Sequence, residues 1–357
     1  MLNSFIVVAS SIVVSVNLTP LLAVGADSKQ TGSDIRVTAR TQAEPYIDWL
    51  PEESETLTVL HSPYRIPVEY PTHNVRSFSV RMNENMMGVV FAGPLRQLLA
   101  GKTVTMSIEA ACRFRVPQVD PPITPLIYDG CCIFVFDRES RLNDSRILDS
   151  LEESGVRRGR PRRARRHTIE NQTVLEYLPK NAEQFPRGFS YWVSLPSPGV
   201  LIIATENTFI STVLKRINNP EKLAFPDRLE EWGHIGADAR KWGIRHFGAS
   251  IGETDVSDPR RPWGNDPEAH ATGIALQINT HAQRAHIAVL GCDELMIRRL
   301  SFGIRNAVHQ DALSEVMPNG LLRIDIDWSA EPPDQMKRVE GRLSGWLQNI
   351  LGYAVVI

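Results

Sequence analysis

A serine set between glycines, in the string Gly248, Ala249, Ser250, Ile251, Gly252, fits the GxSxG pattern and follows the predicted strand KWGIRHF at residues 241–247. In a nucleophile elbow the glycines allow a cramped turn that lifts the hydroxyl clear of a sheet, and a helix must begin directly behind it. Here the chain continues ETDVSDPRRPWGNDP, rich in proline and without an apolar helical stripe. Asp255, Asp258 and Asp266, then His270, His281 and His286, follow in the acid-then-histidine order of such hydrolases, but nothing in the spacing brings them together. Ser250 is therefore expected in a glycine-bounded strand-to-loop turn, and an exported serine hydrolase is kept as the alternative activity.

Asp325 and Asp327 stand two apart in LLRIDIDW, so on a strand both project from one face and could act as paired carboxylates; a solvated sheet face explains them equally. The acidic loop from Glu253 to Asp266 lacks the spacing of a calcium-binding EF-hand loop. None of the nine histidines lies in HExxH, and His281 and His286, five apart across a predicted turn into a strand, could share a metal ion but nothing in the pattern indicates it. Neither a Walker loop nor a GxGxxG behind a strand occurs, so no metal or cofactor is expected.

The densest charge is VRRGRPRRARRH, holding Arg157, Arg158, Arg160, Arg162, Arg163, Arg165 and Arg166. Within it, Arg158-Gly159-Arg160-Pro161 resembles the core of an AT-hook, whose extended backbone enters the minor groove of A·T-rich DNA. The run is otherwise a solvated loop, or a contact for an anionic envelope polymer or lipid surface. Net charge is −2, with 39 basic against 41 acidic residues, so no whole-chain field favours polyanions.

The elements around these residues alternate or repeat clearly. VTMSIEAACRF places Val104, Met106, Ile108, Ala110, Cys112 and Phe114 on one face of a strand and Ser107 and Glu109 on the other. Further strands are predicted at GVVFAG, CCIFVFD, YWVSL, GVLIIAT, TGIALQIN, AHIAVLG, LLRIDIDW and the closing AVVI. Helical spacing appears in PLRQLLAG, in ENTFISTVLKRI with Thr205 as its cap, from Asp293 to about His309, and from Asp334 to Ile350. Strands outnumber helices and often follow one another directly. The expected fold class is α+β, with largely antiparallel sheets, helices packed on one face, and two similar-sized halves.

The N-terminus is apolar from Phe5 to Val16 and has small residues at Val24, Gly25 and Ala26, which predicts a secretory signal peptide over 1–26 or, if uncleaved, an anchor. No other stretch is long and apolar enough to span a membrane. A linker is expected over 27–54, a first half over 55–137, a charged arginine-rich insertion or linker over 138–187, and a second half over 188–357. At 357 residues and 42% hydrophobic, the chain can bury a large core. Its four cysteines are Cys112, Cys131, Cys132 and Cys292. In an exported chain Cys112 could bridge to Cys131 or Cys132; the alternative is buried thiols.

LIIATENTFISTVLKRI, FPDRLEEWGHIGADARKWGIRHFG and SDPRRPW followed by TGIALQIN, over about residues 199–279, resemble a group of uncharacterised secreted proteins of planctomycete-type bacteria. In that group a threonine-capped helix, a Leu-Pro-Glu-Trp-like segment, a Trp-x-x-Arg-His strand and an Asp-Pro-x-x-Pro loop recur in this order; here Glu230, Glu231 and Trp232 lack the proline. The resemblance implies a secreted or periplasmic bacterial protein and implies no activity. The expectation is thus a noncatalytic exported binding or cell-envelope protein. Serine hydrolysis through Ser250 and DNA binding through the arginine run are the alternatives, and export counts against chromosomal DNA.

Overall fold

In a computed structural model the residues described are 39–66 except 53 and 62, 99–115, 127–149 except 141 and 143–145, 164–177, 191–219, 229–246, and 271–350 except 308 and 310. The GxSxG string with Ser250, Arg157 to Arg163, the predicted strands GVVFAG and AVVI, and the N-terminal apolar segment lie outside them.

The strands are β1 (Thr56–Leu60), β2 (Tyr64–Arg65), β3 (Thr103–Arg115), β4 (Ile127–Phe136), β5 (Ala164–Ile169), β6 (Gln172–Tyr177), β7 (Tyr191–Ser197) and β8 (Val200–Ala204). They continue with β9 (Lys241–His246), β10 (Gly273–Asn279), β11 (Arg284–Leu290), β12 (Leu313–Val316) and β13 (Leu322–Asp327). All join one sheet in the order β12-β13-β11-β10-β9-β1-β3-β4-β8-β7-β6-β5, with β2 beside β3. Every pairing is antiparallel. The predicted halves are therefore continuous: β1 pairs with β3 on one side and with β9 on the other.

Helices whose bounds are described are α1 (Ala39–Ile47), α2 (Asn207–Asn218), α3 (Glu294–Ala307) and α4 (Pro333–Ile350), with a 3₁₀ turn at Glu230–His234. Side chains alternate across each strand, so a strand rich in Val, Ile and Leu can feed two cores. In β8, Leu201 and Ile203 enter one core while Val200, Ile202 and Ala204 enter the other. Met296, Leu300 and Ile304 of α3 and Val339 and Leu343 of α4 join the first core. Ala43 and Ile47 of α1, Phe209, Ile210, Val213 and Leu214 of α2, and Trp232 of the 3₁₀ turn join the second. The α+β class and the antiparallel pairing hold, but helices cover both faces instead of one. The pairing rules of single elements carry no information about which face a helix returns to.

Several local expectations change. The segment 27–54 contains α1, packed through Ala43, Ile47 and Leu50, which are fully buried. The segment 138–187 contains β5 and β6, a hairpin whose two turn residues, Glu170 and Asn171, have φ of 49° and 60°. That left-handed pair matches the right-handed twist of the flanking strands. In β3 the register shifts between Val104 and Met106, so Val104 faces the first core while Met106, Ile108 and Ala110 face the second. The predicted wet face of β3 is instead enclosed: Ser107 and Glu109 are buried, together with Thr56 and Thr58 of β1 and Arg245 of β9. Thr205 does not cap α2; its Oγ1 accepts the Gly130 N–H at 3.0 Å, and Glu206 holds the cap position.

Cys131, Cys132 and Cys292 are buried and in no disulfide, so neither cysteine of β4 is bridged to Cys112. Burial pushes the Cys292 thiol up to about 12 and, with the charge of Glu109, holds Cys132 well above the usual thiol range. Protonated and enclosed, these thiols act as small apolar side chains.

Candidate functional site

One set of polar residues that the fold gathers lies on the second face, where β9, β10, β11 and β13 run side by side beneath the 3₁₀ turn. Register fixes the rows. Trp242, Gln277, His286 and Asp325 are successive neighbours across these strands, and Ala275, Ala288 and Arg323 form the next row. Beyond Arg323, Glu315 of β12 stands opposite, and Leu313 stands opposite Asp325.

The two carboxylates singled out in LLRIDIDW do share this face, but each is engaged by a base on β11. The His286 Nδ1–H donates to Asp325 Oδ1 at 2.7 Å. Arg284 Nε donates to Asp327 Oδ2 at 2.8 Å, and the Ser329 hydroxyl and N–H donate to Asp327 Oδ1 at 2.6 and 2.9 Å. The Ser329 bonds first, then Arg284, draw the Asp327 carboxyl down to about 2. A paired-carboxylate acid/base site needs one carboxyl able to hold a proton near neutrality, and Asp327 is not that group.

The 3₁₀ turn supplies residues to both sides. Trp232 anchors it, meeting the Trp242 ring edge-on at 5.3 Å between centroids, while the Arg40 guanidinium of α1 lies 3.9 Å from the Trp232 ring centroid. On one side Glu231 is 1% exposed, and its Oε1 accepts from His246 Nδ1 at 2.9 Å. Glu231 Oε2 has no hydrogen-bond partner among the described residues. The carboxylate lies where a side chain on residue 273 would otherwise sit: a Cβ at Gly273 would come within 1.5 Å of Oε1. The Glu231 bond raises the affinity of His246 for its proton against the opposing effect of burial, with Glu55 and Glu230 adding to the rise.

On the other side of the turn stands His234. Burial, followed by the electrostatic influence of His286 and Arg323, lowers its proton affinity below the ordinary histidine value of 6.5, outweighing Glu231 and Glu230. Arg323 Nε is buried without a hydrogen-bond partner among the described residues. Asp325, two residues along the same β13 and on the same face, is turned to His286 instead.

His309, Asp311 and Glu331 also lie close enough together to suggest a metal site. Both imidazole nitrogens are already used, however: Nδ1 accepts the Asp311 N–H at 3.3 Å, so Nε2 carries the proton and donates to Glu331 Oε1 at 3.1 Å. The histidine ties the loop before β12 to the loop after β13.

Of the arginine run, Arg165 and Arg166 lie on β5, the outermost strand at that end, and are exposed. Arg166 binds Asp149 at 2.6 Å. Charge on an edge strand discourages pairing with a second sheet, which accounts for this part of the run without a ligand. Sequence reasoning had named His286, Asp325 and Asp327, but Glu231, His234, His246, Gly273 and Arg323 escaped it. Their relation depends on register between strands distant in sequence and on a five-residue 3₁₀ turn with no periodic signature.

No family model matches the chain, and neither does any curated protein. Among solved structures it is similar to crystal form I of TP0453, with 12% identity and a TM-score of 0.43 over 84% of this chain and 96% of that one. It is also similar to crystal form III of TP0453, with 11% identity and a TM-score of 0.42 over 84% of this chain and 97% of that one.

Proposed function

We propose that the chain is a noncatalytic exported binding or cell-envelope protein, with the polar strip of β10, β11 and β13 beside the 3₁₀ turn as its recognition surface. The observation that carries the reading is the pairing of Asp325 with His286 and of Asp327 with Arg284 and Ser329. These bonds fix donors and acceptors in a set pattern on a rigid sheet face, which suits recognition, and they keep Asp327 ionised. The signal-like N-terminus and the resemblance to secreted bacterial proteins support export, secreted or periplasmic.

Turnover of a panel of esters, peptides and glycosides tests the noncatalytic reading. We expect no rate that Ser250→Ala, Asp325→Asn or Asp327→Asn removes; a hydrolysis lost in Ser250→Ala alone would transfer the chain to the serine hydrolase reading. Mass analysis of the protein recovered from an exporting host tests the compartment, with an N-terminus at Asp27 expected after cleavage. For the arginine run the proposed partner is an anionic polymer or lipid surface. A preference for A·T-rich over G·C-rich duplexes that persists as salt rises would instead favour the AT-hook.

A further inference from the structure

We infer that the chain associates end to end with further copies of itself, the outer edge of β12 in one copy pairing antiparallel with the outer edge of β5 in the next. The inference goes beyond the recognition surface and does not depend on it.

Among the described residues β12 and β5 end the sheet, and each has a single strand neighbour, β13 and β6 respectively. Which backbone groups point outward follows from the pairing. The Met317 N–H donates to the Leu321 C=O at 2.8 Å, so the bonded pairs of this hairpin are Met317 with Leu321, Glu315 with Arg323 and Leu313 with Asp325. Ser314 and Val316 therefore turn their N–H and C=O away from β13. At the other end the two-residue turn makes Ile169 and Gln172 a bonded pair, and in alternation His167 with Val174 and Arg165 with Glu176. Ala164, Arg166 and Thr168 face outward there. Both edges are open to solvent: Leu313 and Val316 are 71% and 52% exposed, and Glu315, Arg165, Arg166 and Thr168 are exposed as well.

Direction, face and charge fit these two edges to each other. The sheet has 13 strands, of which β2 lies off the path, so twelve run from β12 to β5. Every neighbouring pair is antiparallel, and the two outermost strands therefore run in opposite directions. A second copy set beyond β12 without turning its faces over offers β5 antiparallel, with like faces continuous. On the second face Glu315 and Leu313 stand opposite Arg323 and Asp325, while Arg165 and His167 stand opposite Glu176 and Val174. When Ser314 bonds to Arg166 of the next copy, Glu315 lies opposite Arg165 of that copy and Val316 opposite Ala164. Opposite charges so placed stabilise a strand pair, and like charges weaken it. Like edges fail this test. The two-fold register that uses every outward group of β12 sets Glu315 against its own copy, and the corresponding register of β5 sets Arg166 against its own copy and Arg165 against His167. The arginines that hold two β5 edges apart thus select β12. The contact is heterologous, so each added copy leaves an open edge at either end of the assembly.

The test is sedimentation velocity on the full mature chain over a concentration series at low and high salt. β12 has four residues, so the contact is small, and we expect weak growth with concentration through dimers to longer species, lessened as salt rises. Glu315→Arg and Arg165→Glu should each weaken association about tenfold or more, with circular dichroism unchanged because both positions are exposed. An equimolar mixture of the two variants should associate again, since every β12 edge then meets a β5 edge of opposite charge. Association that stops at the dimer, equal association in either variant and the unaltered chain, or a mixture that stays as dispersed as its parts overturns the head-to-tail pairing. So does an unaltered chain that remains monomeric throughout the series. None of these outcomes bears on the recognition surface of the second face, whose strands lie inside the sheet or turn another edge to β12.

Discussion

Replacing Gly273 by alanine probes the packing beneath the 3₁₀ turn with a single methyl group. Alanine in place of glycine at a compatible backbone position ordinarily stabilises a chain by about 0.4–1 kcal/mol through the unfolded state. Here the added Cβ would lie 1.5 Å from Glu231 Oε1, 2.5 Å from its Cδ and 2.9 Å from its Cγ. The carboxylate must swing away, and its bond to His246 is lost. A hydrogen bond to a charged group contributes about 1.5–3 kcal/mol, and the lower end applies because the His246 side chain is 41% exposed. Expelling the buried Glu231 stem from beside Trp232 adds about 1 kcal/mol. Set against the gain from the unfolded state, Gly273→Ala should destabilise by about 2 kcal/mol, read as a lower urea midpoint with an unchanged slope. The sharper readout is a double-mutant cycle. In a Glu231→Ala background nothing occupies the space, so Gly273→Ala should become neutral or stabilising by about 0.5 kcal/mol. The same loss in both backgrounds, or none in either, would refute the reasoning.

The Glu231–His246 bond also predicts a pH dependence. Because the folded proton affinity of His246 is raised above 6.5, its contribution is complete below that pH and declines as pH rises through the folded value. Urea denaturation at several pH values should show the unaltered chain losing this increment on the alkaline side, while His246→Ala lacks it; His61 and His234, shifted the opposite way, cancel in the comparison. Leu214→Ala in α2, fully buried in the second core, should destabilise by about 2–5 kcal/mol, checked by urea denaturation. Arg165→Val with Arg166→Val on β5 should leave the fold intact by circular dichroism but raise self-association in sedimentation velocity, because an uncharged outer strand can pair with another sheet.

The strands were legible wherever apolar residues alternate or run unbroken between turn residues, as in β10, β11 and β13. Their class and antiparallel arrangement followed from the lack of helices between them. What escaped was long-range. Leu57 pairs with Ala110 and also with Ile244, and no local pattern announces that one strand serves both halves. Glu109 looked solvated because it alternates with apolar residues, yet its face of β3 is covered, since the sheet carries a core on either side. The site was half legible for the same reason. Asp325 and Asp327 could be placed on one face from their spacing, but their partners come from the register of β11 against β13. Glu231 gave no signal, because the vacancy it fills is made by Gly273 on another element.

β1 has a consequence for synthesis. Among the described strands it is made first, and it is flanked in the finished sheet by β3 and β9, yet β9 begins only at Lys241. A ribosome that has released β1 and β3 can close one side of TLTVL at once, while the other side waits for more than a hundred further residues to emerge. Throughout that interval a nascent chain carries a bare apolar strand edge, the form of surface most prone to capture by another chain. The middle of the sheet, its best-protected part when complete, is therefore its most vulnerable part while it is being built.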